Sequence, residues 1–67
     1  MLRGTVKWFY DLKGYGFIAA EDIPESVYVR FPDICSDGYR TLKKGDEVCF
    51  DIEKSSRGWR ATKVTRV

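Results

Sequence analysis

Hydrophobic and polar residues alternate most clearly between residues 47 and 53. Val48, Phe50 and Ile52 fall on one side of an extended chain there, and mostly acidic residues fall on the other. Because successive side chains of a strand point to opposite faces, this pattern predicts a half-buried β-strand. Runs rich in β-branched and aromatic residues predict four more strands, at residues 2–9, 14–20, 27–31 and 59–67.

Turn-forming residues separate the predicted strands. Residues 11–14 and 54–58 contain charged, serine and glycine residues typical of hairpin turns, and Pro32 prevents the third strand from continuing. Residues 32–45 show no sustained period, so they predict a long crossing connection rather than a helix. Five short strands joined in this way predict a small antiparallel barrel that closes its exposed edges.

The alternation also predicts which side chains fill the barrel. The predicted core consists of Val6, Ile18, Val27, Val29, Ile34, Val48, Phe50, Ile52 and Val64. Strict alternation would bury Trp8 together with Val6 unless the first strand contains a bulge or twist, and the sequence leaves this open. Gly14 and Gly16 weaken the second strand, so they predict strong coiling or a close approach by an external group such as a ligand.

Length and charge exclude several classes of function. A chain of 67 residues has room for one small domain, and its net charge of +2 is too low for a protein that wraps duplex DNA. Residues 54–67 contain cations and no acid, whereas acidic residues gather at 21–25 and 46–53. One face of the domain is therefore expected to be basic.

The sequence offers no catalytic or metal-binding motif. It contains no His, and Cys35 and Cys49 are too far apart in sequence for a zinc or redox motif. Without paired carboxylates in a known motif or a phosphate-binding loop, we expect neither an enzyme nor a cofactor. Lacking an apolar run that could span a bilayer or serve as a signal, the chain is expected to be cytoplasmic, with no membrane partner.

Two short motifs, at residues 13–18 and 27–31, place aromatic and basic side chains on one face of neighbouring strands. When the aliphatic residues of these strands face the core, the rings and cations face the solvent. Flat rings beside cations suit the unstacked bases of a single-stranded nucleic acid. The side chains concerned are Lys13, Tyr15, Phe17, Tyr28 and Arg30.

The order and spacing of these motifs closely resemble those of the cold-shock proteins, which bind nucleic acid. Residues 13–18 and 27–31 resemble the two ribonucleoprotein motifs of that family. Residues 6–9 and 38–64 resemble its first strand, its connection and its last hairpin. The resemblance implies an all-β fold, a five-stranded antiparallel Greek-key barrel of OB-fold type, in a single domain that spans residues 1–67.

The resemblance also implies a set of residues that contact single-stranded DNA and RNA. They are Lys7, Trp8, Lys13, Tyr15, Phe17, Tyr28, Arg30, Phe31, Tyr39 and Arg57. It further implies that Trp8 is exposed, and that the protein is a nucleic-acid chaperone that destabilises weak secondary structure and regulates transcription or translation.

The expected oligomeric state is a monomer, with a strand-swapped dimer as the alternative. The chain departs from the family pattern at Tyr10, Arg30, Pro32, Trp59 and Arg60, where Asn, His, Ser, Pro and Gln are usual.

Two other functions are compatible with an aromatic surface. A small barrel could use its rings as a cage around a cationic side chain of a peptide. Such a cage needs rings that converge on one point, whereas these rings alternate along neighbouring strands. The rings could also stabilise an oligomer, and concentration-dependent sedimentation would then reveal it.

Overall fold

The computed structural model describes residues 1–36 and 38–67, which form a closed five-stranded barrel. The strands are β1 (Leu2–Tyr10), β2 (Tyr15–Ala20), β3 (Val27–Arg30), β4 (Glu47–Ser55) and β5 (Gly58–Arg66). Their order around the barrel is β1-β2-β3-β5-β4. The predicted all-β barrel is therefore confirmed. Asp37, which belongs to the predicted connection, lies outside the described residues.

The strands pair antiparallel around the barrel except where β3 meets β5. That contact is parallel, places Tyr28 opposite Arg60 and closes the barrel. The predicted third strand was one residue too long, because Phe31 begins a 3-10 turn, Phe31–Asp33, that includes Pro32. This turn is short, and across residues 1–36 and 38–67 there is no helix with the length and hydrophobicity needed to cross a membrane.

The core agrees with the predicted alternation at most positions. Its buried side chains are Val6, Ile18, Val27, Val29, Ile34, Leu42, Val48, Phe50, Ala61 and Val64. Ile52 was predicted to be buried but is only partly so, since it packs against the margin of the core. Leu42 was missed because it lies in the long connection, where no periodic pattern identifies the inward side chain.

A β-bulge at Lys7 determines the side of the sheet on which Trp8 lies. Val6 pairs with Ile18 and Trp8 pairs with Phe17, so Lys7 is left without a partner in the ladder. An extra residue of this kind reverses the alternation of the strand. Val6 is consequently buried at 1% exposure, while Trp8 is 41% exposed. The bulge resolves the ambiguity that the sequence left open.

A second irregularity brings two residues of β5 into the core although they are three positions apart. Ala61 and Val64 are both fully buried, and the register of β4 against β5 shifts between Cys49 and Asp51. Lys63 lies at this shift with φ of 52°. The left-handed conformation costs a non-glycine residue about 1–2 kcal/mol, so the burial of its neighbours must compensate for that strain.

Gly16 allows β1 and β2 to approach closely. A Cβ atom at this position would meet the carbonyl oxygen of Trp8 and would lie 2.7 Å from the Cα of Phe9. The close approach at Gly16 is therefore made by β1 and not by an external group. Gly14 has a different role, since its φ of 72° forms the turn that precedes β2.

We expect Gly16→Ala to lower the free energy of unfolding by about 1–3 kcal/mol, because the added methyl group must displace the β1 backbone. Urea unfolding measures this loss. Gly38→Ala is the matched control, since no described atom lies within 4 Å of the added Cβ. Its free energy of unfolding should stay within about 0.5 kcal/mol of the parent value. Equal stability of the two variants would contradict the tight β1–β2 contact.

Candidate functional site

The outer face of β1, β2 and β3 carries two rows of side chains whose order is set by strand register. In each row, a residue of β1 pairs with one of β2, which pairs in turn with one of β3. The first row is Trp8, Phe17 and Tyr28, and the second row is Tyr10, Tyr15 and Arg30. These five rings and Arg30 form what we term the aromatic strip.

Neighbouring rings of the aromatic strip are in contact. The ring centroid of Trp8 lies 5.3 Å from that of Phe17 and 5.5 Å from that of Tyr15. The ring of Tyr28 lies 5.6 Å from Phe17 and 6.0 Å from Tyr15. Tyr10 extends the second row at 6.4 Å from Tyr15. Tilted and edge-to-face pairs of this kind attract each other, so the rings hold one another in place.

The rings of the strip remain accessible to a ligand. Trp8 and Tyr10 are 41% and 44% exposed. Tyr15, Phe17 and Tyr28 are half-buried, and each is in contact with another ring of the strip. None of these five residues belongs to the buried core. The strip can therefore offer planar apolar surface to the solvent without exposing the interior of the barrel.

A groove of about 560 Å³ separates the strip from the β4–β5 hairpin, and we refer to it as the hairpin groove. Three arginines line it, and no described residue that lines it is acidic. Arg60 lies opposite Tyr28 in the β3–β5 pairing, and its Nη2 donates to Oε1 of Glu53 in β4 at 2.7 Å. The residues of the hairpin groove are Tyr15, Phe17, Tyr28, Arg30, Ser55, Ser56, Arg57, Trp59 and Arg60.

A second groove, of about 490 Å³, lies between the β1–β2 turn and the long connection, and we refer to it as the loop groove. Phe31 and Tyr39 supply its rings and are 50% and 70% exposed. A Cβ on Gly14 would lie 2.8 Å from the Phe31 ring, so the glycine allows that ring to lie against the turn. The residues of the loop groove are Asp11, Leu12, Lys13, Gly14, Phe31, Gly38, Tyr39 and Arg40.

The structure brings the predicted site residues together, with one exception. Trp8, Tyr15, Phe17, Tyr28 and Arg30 lie in the strip, Arg57 lies in the hairpin groove, and Lys13, Phe31 and Tyr39 lie in the loop groove. Lys7 is the exception, since it lies at the β1 bulge and donates from Nζ to Oγ of Ser26 at 3.0 Å.

Three aromatic or cationic residues of the aromatic strip and the hairpin groove were not among the predicted site residues. Tyr10 is two positions after Trp8 on the same strand, and that spacing is the signal that identifies it. Arg60 lies opposite Tyr28 because β3 and β5 pair in parallel. No local pattern in the sequence predicts that pairing. Trp59 lines the hairpin groove and packs partly against the core, with Nζ of Lys54 4.6 Å from its ring centroid.

A family profile and two relatives of known name all associate this chain with cold-shock proteins. The profile described as the 'Cold-shock' DNA-binding domain matches residues 2–67. The chain is 52% identical to the cold shock-like protein of Aquifex aeolicus over 62 residues, which are 92% of this chain and 89% of that protein. It is also 52% identical to cold shock protein 1 of Lactiplantibacillus plantarum over 64 residues, 96% of each chain.

A solved structure supports the fold independently. Drosophila Unr CSD456 superposes with a TM-score of 0.82 at 18% sequence identity. The superposition covers 98% of this chain and 26% of that longer chain. At this level of identity, the similarity concerns the barrel alone.

Proposed function

The chain belongs to the 'cold-shock' DNA-binding domain family, and we propose that it binds single-stranded RNA and DNA by stacking their bases on the aromatic strip. Proteins of this family bind nucleic acid and are not enzymes. The observation that carries the proposal is the register of β1, β2 and β3, which gathers five partly exposed rings and an arginine on one outer face.

Stacking on the strip supplies the main part of the proposed binding energy. A base stacked on an aromatic side chain contributes about 1–3 kcal/mol. A dissociation constant of about 1 μM corresponds to roughly −8 kcal/mol, so several occupied rings can reach that range after the cost of association. Every base has a flat face, whereas bases in a duplex are already stacked and paired. We therefore expect preference for single strands with little dependence on sequence.

Cations beside the strip are proposed to contact the phosphates. Arg30 and Arg57 line the hairpin groove, and Lys13 lies in the loop groove. Lys7 is included in the proposal because its hydrogen bond to Ser26 is exposed and a phosphate can replace it. Only a few phosphates are neutralised in this way, so the affinity should fall modestly as salt increases.

Chaperone activity follows from this mode of binding by mass action. A protein that binds open strands but not paired ones lowers the free energy of the open state. Weak hairpins in RNA or DNA would then open without ATP, and strongly paired regions would persist. We propose that any effect on transcription or translation arises from this shift in pairing.

The aromatic-cage alternative receives less support. The rings follow two rows along three strands rather than surrounding one point. Arg30, Arg57 and Arg60 also line the adjacent groove, and they would repel a cationic peptide. Charge and geometry both favour an anionic single strand as the ligand.

Tryptophan fluorescence tests the proposed function directly. In a Trp59→Phe variant, Trp8 is the remaining indole, and its emission should change on titration with a single-stranded pyrimidine oligonucleotide. The matched duplex and a cationic peptide of similar length should give much weaker responses. Equal affinity for the duplex, or tighter binding of the peptide, would contradict the proposal.

We expect Phe17→Ala to weaken binding of a single-stranded oligonucleotide by about 1–3 kcal/mol, because it removes a central ring of the first row. Fluorescence titration measures the change, and circular dichroism checks that the barrel persists. Lys63→Ala is the control, since Lys63 is exposed and lies outside both grooves. A loss at Lys63 as large as that at Phe17 would show that charge, rather than stacking, dominates.

Arg30 makes the proposed binding insensitive to pH. A guanidinium stays charged at physiological pH, and the chain contains no His, so affinity should be constant between about pH 5.5 and 8. In Arg30→His, the imidazole is protonated below about pH 6.5. That variant should bind more tightly at low pH and lose affinity as the pH rises. Oligonucleotide titrations at several pH values across this range measure the affinities of both proteins. An affinity of Arg30→His that does not change with pH would exclude a contact between residue 30 and the nucleic acid.

A further inference from the structure

A hydrogen bond at the edge of the loop groove joins two segments that are distant in sequence. The Thr41 hydroxyl donates to Oδ1 of Asp11 at 2.6 Å, across a separation of 30 residues. Asp11 belongs to the turn that forms one wall of the groove, and Thr41 follows Tyr39 and Arg40 of the other wall. The bond therefore links the two walls.

Thr41 is itself fixed to the barrel. Its carbonyl oxygen accepts a hydrogen bond from Nη2 of Arg66 in β5 at 2.9 Å. The next residue, Leu42, is 3% exposed and belongs to the core. The backbone amide of Thr41 donates to the carbonyl of Tyr39 at 3.1 Å. Any displacement of Thr41 would thus be transmitted to Tyr39.

The opposite wall is held by backbone hydrogen bonds. The amides of Lys13 and Gly14 donate to the carbonyl of Tyr10 at 3.2 and 2.7 Å, and these bonds define the turn around Asp11. The amide of Phe31 donates to the carbonyl of Gly14 at 2.8 Å. Phe31 is therefore attached to the same turn that carries the acceptor for Thr41.

We propose that Thr41 and Asp11 are positioning residues for the single-strand site. Their hydrogen bond holds Tyr39 at a set distance from Phe31, so that the loop groove is ready to accept an unstacked nucleotide. Tyr39 is 70% exposed, so ordering it in advance removes an entropic cost of binding. This inference rests on the proposed function of the aromatic strip.

Thr41→Val tests the inference, because valine keeps the shape of threonine and removes the donor. The variant should bind a single-stranded oligonucleotide about three- to tenfold more weakly, and mainly through faster dissociation. Thr41→Ser retains a donor and should bind like the parent protein. Asp11→Ala should bind about three- to tenfold more weakly than Asp11→Asn, since both variants remove the same charge and only the asparagine retains an acceptor. Thr65→Val, in β5 and outside both grooves, is the control and should leave affinity unchanged.

A double-mutant cycle separates positioning from a general effect on stability. If Thr41 acts through Tyr39, Thr41→Val should have almost no effect on affinity in a Tyr39→Ala background. An equal loss in both backgrounds, or unchanged affinity of Thr41→Val itself, would overturn the inference. The Phe17→Ala result keeps the two proposals apart, since a loss there together with unchanged Thr41→Val would leave the proposed function intact and reject only the positioning role.

Discussion

The pairing of β1 with β2 across the bulge at Lys7 is the constraint on which the surface depends. Without the extra residue, Val6 and Trp8 would share a face, and the strand would have to bury an indole or expose a core valine. The bulge leaves Lys7 without a pairing partner in the β1–β2 ladder. In return, Val6 completes the core, while Trp8 and Tyr10 join the rings of β2 on the outer face.

The same pairing explains why the rings are well ordered without being buried in the core. Gly16 brings β1 and β2 together closely, and the short distances between rings follow from that approach. Each ring is packed against another on one side and open to solvent on the other. Rings fixed in this way lose little conformational entropy when a ligand binds, which favours affinity from modest contacts.

Strands and loops contribute differently to the surface. The aromatic strip lies on paired strands, whose hydrogen bonds hold the side chains in register. Phe31 and Tyr39 lie on connections, where single contacts replace that ladder, and the hydrogen bond between Asp11 and Thr41 is one of these. The strip is thus an intrinsic product of the barrel, while the loop groove depends on contacts between segments far apart in the chain.

Local patterns in the sequence determined the five strands, most of the core and the rings of β2 and β3, because alternation and turn residues act between near neighbours. Motif spacing was also enough to indicate the family. The family resemblance also implied an exposed Trp8, which is confirmed, but only the tertiary structure revealed the bulge that exposes it, the burial of Leu42 and the pairing of Arg60 with Tyr28. These depend on a bulge, on an aperiodic connection and on the closure of the barrel. Each is settled by packing between distant segments, which no short stretch of sequence encodes.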